Sequence, residues 1–382
     1  MTEPLYYADC HLKTFTAQVL ECTEVKGGWQ VTLNRTAFYP EGGGQSCDLG
    51  TLDGIAVQDV RSREGEIRHL CAKPLEVGRT VTGEIDWNRR FSLMQQHSGE
   101  HILSGLVHAD FGYHNVGFHM GADAMTIDFD GEISPEALEE LESKANAAVY
   151  ANLPLHIWYP SPEELPNVPY RSKKALDWPV RVVEVPGVDC CACCGVHVAS
   201  TGEIGPIKII SAVKFKGGVR LELVCGIQAM DYLTKIFKQN QLVSREFSAK
   251  MLETGAVARQ FSQELSDTKF RLHQLEDQLF EQVARDYAGR GDVALFYPDL
   301  TPDGVRRLAV KLMETCGGRA AVFSGTDESG YKYALGQEGG DLREVTRALN
   351  LALDGRGGGK PGFTQGSVRA IRAEIEAFLH NG

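Results

Sequence analysis

His97 and His101 stand four residues apart, and Cys193 and His197 repeat that spacing far downstream, so one metal ion using all four would force two remote stretches of chain together. A helix carries residues i and i+4 on one face, which lets both imidazoles of the first pair aim at a single point. Imidazole and thiolate are matched donors for zinc. Four protein ligands close a structural site, whereas three plus a water make a catalytic one, and spacing alone leaves both open.

The rest of the composition narrows the setting. A chain of 382 residues, 43% hydrophobic and 24% charged, has room for two or three domains with cores of their own. Its first residues lack a basic stretch followed by an apolar run, and no window approaches the roughly 18 apolar residues of a membrane span, so a cytoplasmic location with no membrane partner is expected. Of ten cysteines, four crowd into Cys190-Cys191-Ala192-Cys193-Cys194, where neighbours pair poorly with each other; thiolate metal binding is the better reading. The net charge of -12 opposes unspecific polyanion binding. Contact with RNA would then need local basic patches, and the candidates are Lys208, Lys214, Lys216 and Arg220, then Arg356, Lys360, Arg369 and Arg372. Ordinary solvated charge is the alternative reading of the same residues.

Patterning suggests an α+β protein of four segments. Residues 1–88 alternate in short runs such as Trp29-Gln30-Val31-Thr32-Leu33, broken by glycine turns, which predicts a small antiparallel β-barrel. Residues 89–225 mix a helix over 90–111, a strand over 123–129, a helix opened by Ser134-Pro135-Glu136 and short strands around the cysteines; both halves of the metal set fall in this α+β zinc-binding segment. Residues 226–290 lack proline, and Phe261, Leu265, Thr268, Leu272, Leu275, Leu279 and Val283 recur in steps of three and four, predicting a helical hairpin or coiled coil bent near Gly255. A surface helix on a neighbouring domain would give the same pattern. Residues 291–382 read as a carboxy-terminal α/β domain, with Val293-Ala294-Leu295-Phe296 and Ala320-Ala321-Val322-Phe323 as strands and a helix over 303–314 between them. Here Gly357-Gly358-Gly359-Lys360-Pro361-Gly362 reads as a turn, or as a phosphate contact, ahead of a helix starting near Val368; no Ser or Thr follows the lysine, so it is not a P-loop.

One further string matters. Phe38-Tyr39-Pro40-Glu41-Gly42-Gly43-Gly44-Gln45 combines a rigid proline with three glycines, a place where backbone can approach a ligand closely. With this block, Asp86-Trp87 and Arg90, the two histidines, the Cys193 to His197 stretch and the following Ser200-Thr201-Gly202-Glu203-Ile204-Gly205, the chain resembles the alanyl-tRNA editing proteins of the AlaX type and the editing domain of alanyl-tRNA synthetase. Its helical stretch and carboxy-terminal segment are similar to the long form of that family, which ends in a DHHA1-like domain.

That resemblance implies a trans-editing aminoacyl-tRNA deacylase, ATP-independent, hydrolysing Ser-tRNA(Ala) or Gly-tRNA(Ala) with Zn2+. An alanine pocket cannot strongly reject the smaller glycine or the slightly larger serine, so a second hydrolytic site supplies the missing discrimination. Carried over, His97, His101, Cys193 and His197 are the catalytic zinc ligands. Thr36 is the hydroxyl that tests for serine, and Gly43, Gly44 and Gln45 line the aminoacyl-adenosine pocket. His119 is a substrate-binding or acid-base group in that pocket, with a buried structural histidine as the alternative. Lys360 and Arg369 are expected to touch tRNA, and the helical segment or the last domain to form a homodimer. Two departures stand out. Val196 replaces a hydroxyl residue of the family's cysteine block, and Cys190, Cys191 and Cys194 compete with Cys193 for the metal. The rival readings are a non-catalytic tRNA-binding module with a structural zinc, and a metal-dependent hydrolase of small esters or nucleotides.

Overall fold

Residues 14–85 of the computed structural model pair strand to strand until the ring closes. The structure describes residues 1–381 apart from 122, 173–175 and 177. The six strands are β1 (Thr14–Val25), β2 (Gly28–Leu33), β3 (Gly50–Leu52), β4 (Ile55–Arg63), β5 (Glu66–Cys71) and β6 (Thr80–Ile85). They run in the order β1-β2-β5-β4-β3-β6, every pairing antiparallel, and β6 returns to β1. Closure leaves no free edge. In β6 the period-two alternation is complete: Val81 and Ile85 are buried while Thr80, Thr82 and Glu84 face solvent.

Helix α1 (Trp87–Phe111) begins where the barrel ends, because Asp86 caps it by accepting from the Arg89 amide at 3.2 Å. It stops at Gly112, whose φ of 69° is the left-handed conformation that glycine adopts without strain. Fourteen of its residues are buried, from Arg90 to Val107, so α1 is a core helix rather than a surface one. Strands β7 (Asn115–Met120) and β8 (Met125–Phe129) follow. Helix α2 (Pro135–Tyr150) starts from the Ser134 cap and Pro135 that its sequence predicts. Then come β9 (His156–Trp158), β10 (Val182–Val185), β11 (Asp189–Ala192), β12 (Ile207–Phe215) and β13 (Gly218–Cys225). They form a four-stranded sheet, β12-β13-β8-β7, and a three-stranded sheet, β9-β10-β11. One hydrophobic core runs from barrel residues such as Val31 and Leu52 through Ile102 and Leu103 of α1 to Leu221 and Leu223 of β13.

Two compact units divide the chain, Met1–Leu242 and Val243–Gly382. Helix α3 (Gly226–Glu246) leaves the first, and α4 (Thr254–Asp286) is a helix of 33 residues in the second. The break between the two helices falls at 247–253, and Gly255 lies inside the first turn of α4. In the predicted seam Phe261, Leu265, Leu272, Leu275 and Leu279 are all exposed, and α4 packs through Phe280 and Ala284.

The second unit continues with β14 (Gly291–Tyr297), α5 (Pro302–Met313), β15 (Gly317–Thr326), β16 (Gly330–Gly336), α6 (Arg343–Ala352), β17 (Arg356–Lys360), β18 (Phe363–Val368) and α7 (Arg372–Asn381). Its sheet runs β14-β15-β16-β18-β17, with only β14 and β15 parallel. The glycine run is thus an edge strand, Gly357 opposite Gly366 and Gly359 opposite Thr364, and not a loop feeding a helix. Sequence favours a turn there because glycine lacks the side chain that usually marks a strand; cross-strand backbone bonds overrule it. The next helix starts at Arg372, later than Val368, which closes β18. No helix among the described residues is long and apolar enough to cross a membrane.

Candidate metal centre

Helix α1 projects His97 and His101 from one face, as their spacing requires, and the segment after β11 brings Cys193 and His197 to meet them. The four donor atoms lie within 4.8 Å of one another. Cys193 Sγ is 3.4 Å from His97 Nε2 and 3.3 Å from His197 Nε2. A tetrahedral ion with bonds of about 2.0–2.1 Å to nitrogen and 2.3 Å to sulfur needs N···S edges of roughly 3.5 Å, so the spacing fits. Cys193 is the member of the cysteine cluster that joins all three imidazoles. Cys194 is exposed, and Cys191 groups instead with His101 and Asp189.

A polar side chain sits against the Nδ1 of each imidazole, as a hydrogen-bond partner for His97 and His197 and as a neighbouring carboxylate for His101. The Gln45 carboxamide oxygen takes the Val196 amide at 3.1 Å and lies 2.9 Å from His97 Nδ1, which must therefore donate to it. Asp189 Oδ2 lies 3.1 Å from His101 Nδ1, and Ser98 Oγ 3.1 Å from His197 Nδ1. Three different groups thus turn three Nε2 atoms inward, the arrangement that orients metal-binding histidines. Asp189 is itself gripped by Arg171, with Nε at 2.7 Å and Nη2 at 3.0 Å. Burial opposes ionisation of the Asp189 carboxyl, but the bonds from His101 and Arg171 hold it below the usual range.

Electrostatics suit metal binding. Burial alone would keep Cys193 a thiol, yet His97, His197 and the bonds from His101 and His197 bring it well below the usual thiol range. Burial and then His97 push His197 down to about 3, so it stays a neutral imidazole.

The convergence depends on close backbone approach. A Cβ on Gly105 of α1 would lie 2.4 Å from the Val188 carbonyl oxygen and 2.6 Å from Asp189 Cβ, so the absence of a side chain is what lets Asp189 reach His101. Gly44, at φ 83°, leaves room for the Phe118 ring, which a Cβ would meet at 2.7 Å. The barrel is tied to α1 by a fully buried ion pair. Arg90 donates through Nε to Asp48 Oδ1 at 2.8 Å and through Nη2 to Asp48 Oδ2 and to the Ala37 carbonyl, the latter at 2.6 Å. Asp48 also takes the Tyr39 amide, and so holds the glycine block against the metal helix.

A cavity of about 970 Å³ opens beside the cluster, lined by His97, His101, Gly43, Gly44, Phe118 and Cys193 among others. Of the residues expected there, Gly43 and Gly44 do form its wall, whereas Gln45 is buried behind His97. Thr36 is fully buried and does not reach the wall. His69 Nδ1 donates to the Val31 carbonyl at 3.1 Å, so its Nε2 must accept the Thr36 hydroxyl at 2.9 Å; that hydroxyl also takes the Phe38 amide at 3.1 Å. Its single hydrogen is spent inside the barrel. His119 is neither in the pocket nor buried: on β7 it alternates with Phe118, so Phe118 faces the cavity and His119 is exposed. Lys360 and Arg369 are exposed in the second unit. Sequence reasoning missed Asp189 and Ser98, since a carboxylate or hydroxyl beside a ligand carries no spacing signal of its own.

Known proteins resemble this chain in sequence. Residues 180–222 match the family described as the threonyl and alanyl tRNA synthetase second additional domain, and residues 3–89 that of class II (A) tRNA synthetases. The chain is 28% identical to the alanyl-tRNA editing protein Aarsd1 of Danio rerio, over 97% of this chain and 95% of that protein. It is 32% identical to the alanyl-tRNA editing protein AlaX-L of Pyrococcus horikoshii over 62% of this chain and 61% of that one. With the alanine–tRNA ligase of Methanoregula boonei identity is 30%, covering 96% of this chain but 41% of the ligase.

Proposed function

We propose, from the premise that this chain is a homologue of the alanyl-tRNA editing proteins, that it is a zinc-dependent deacylase hydrolysing the ester of Ser-tRNA(Ala) or Gly-tRNA(Ala). The observation that carries this reading is the set of three imidazoles and one thiolate opening on a cavity of about 970 Å³ with a glycine-lined wall. His97, His101, Cys193 and His197 hold the zinc, which when bound supplies a Lewis acid beside the reacting ester. Gln45, Asp189 and Ser98 fix the ligand tautomers. Gly43 and Gly44 let backbone approach the aminoacyl adenosine, and Phe118, whose ring centre is 5.5 Å from that of His97, excludes water from one side. Thr36, whose hydroxyl hydrogen goes to His69 inside the barrel, does not donate to the substrate. Lys360 and Arg369 contact the tRNA body, and the exposed seam of α4 pairs two copies of the chain. The barrel, zinc-binding, helical and carboxy-terminal segments serve as successive parts of one editing protein.

Purified protein should release serine from Ser-tRNA(Ala), and His97→Ala or Cys193→Ala should lose both the metal and the activity. Four protein ligands also suit a purely structural zinc. If metal-loaded protein binds tRNA(Ala) without any hydrolysis, that second reading, a non-catalytic tRNA-binding module, takes its place.

A further inference from the structure

We infer that Glu100 is the group that recognises the α-ammonium of the aminoacyl ester; the inference rests on the deacylase reading above. His97, Glu100 and His101 occupy positions i, i+3 and i+4 of α1, and all three line the cavity. Glu100 is only 6% exposed, and its carboxylate is held rather than loose. Oε1 accepts from Ser104 Oγ at 2.7 Å and from Asn115 Nδ2 at 2.6 Å, while Oε2 lies 3.9 Å from His101 Nε2, at the margin of the donor cluster. Asn115 Nδ2 also lies 3.2 Å from Ser104 Oγ, so the three side chains form one fixed group.

Such a carboxylate is costly to bury, and neutral donors on one oxygen repay only part of the desolvation. The other carboxylate lining the cavity among the described residues, Asp189, is committed to Arg171 and His101. The substrate brings what Glu100 lacks. An aminoacyl ester carries a cation next to its carbonyl, and docking that ammonium on Oε2 sets the carbonyl carbon against the metal ligands. Serine and glycine share this cation, so Glu100 orients either ester and leaves side-chain selection to other walls of the cavity.

The test compares Ser-tRNA(Ala) with its N-acetylated form, which keeps the ester but lacks the charge, for wild type, Glu100→Gln and Glu100→Asp. Wild type should favour the free amine by roughly 100-fold in kcat/KM, the worth of a hydrogen bond between charged groups. Glu100→Gln keeps an acceptor oxygen for Asn115 and Ser104; it should lose about 100-fold on the free amine, change little on the acetylated ester and retain its metal. Glu100→Asp should restore part of the preference. Equal slowing of both esters, no change on either, or loss of metal in Glu100→Gln would overturn the inference. Failure of the wild-type protein to hydrolyse either ester is a separate result, and it removes the deacylase reading together with this one.

Discussion

At Gln45 one carboxamide links the glycine block, the cysteine segment and the first metal ligand, because its oxygen meets both Val196 N and His97 Nδ1. Removing it frees His97 to rotate without deleting a ligand. Gln45→Ala should therefore weaken metal affinity by roughly 10–100-fold with the fold intact, measured by competition with a chromogenic chelator. Unchanged affinity would show that the ring is oriented by packing alone. His69 makes a pH prediction. Burial pushes its imidazole down to about 4 from the usual 6.5, so the folded protein holds it neutral where an unfolded chain would take up a proton. This stability is complete above pH 6.5 and is lost as pH falls toward 4, a total of about 3 kcal/mol. Urea unfolding of wild type and His69→Gln should diverge in slope across that window; parallel pH profiles would contradict it. Sequence pointed to His97 and His101 through their helical spacing, and to Cys193 and His197, which lie in irregular chain after β11, through the family resemblance. Thr36 reads as a free hydroxyl in sequence because nothing local reveals that His69, thirty-three residues on, accepts its only hydrogen.

Among elements, α1 connects barrel to site. Arg90 and Asp48 share a fully buried ion pair, and taking away one partner leaves an uncompensated charge in the core. Arg90→Met should cost roughly 3–5 kcal/mol of unfolding free energy, and the double substitution with Asp48→Leu should recover much of it. An additive loss in denaturant melts would mean the pair does not act as a unit. The glutamines next to His97 do comparable work without charge: Gln96 exchanges two bonds with the Cys225 backbone, at 2.7 and 3.1 Å, and Gln95 accepts from the Ile227 amide. Polar residues on a helix read as a solvent face in sequence. Here they are buried because their amides complete the ends of β13 and α3. The strand over 357–360 has the opposite origin, since its character comes from pairing with β18 and not from its own side chains, while Pro361-Gly362 do form the turn.

At the scale of the whole molecule, the metal cluster and its cavity lie in one compact unit, and the exposed Lys360 and Arg369 in the other. If the second unit holds tRNA through phosphates, Lys360→Ala with Arg369→Ala should weaken tRNA binding and lower the slope of log affinity against log salt by about 1–2, as filter binding over a salt series would register. The zinc content should stay the same. A protein of net charge -12 needs such local contacts to hold a polyanion at all.

By itself the sequence determined the residue types and intervals: one ligand pair on a helix face and a second at the same interval, a Ser-Pro helix start, alternating strands and a glycine block. These are local, and a periodic backbone reads them directly. Tertiary structure decided what each group faces. Which cysteine meets the imidazoles, which histidine lies behind the barrel, and which carboxylate is left beside the cavity all depend on Gly105 letting Asp189 against α1 and on Asp48 fixing Arg90. Those contacts join residues far apart in the chain, and burial gives them their strength, so no local pattern contains them.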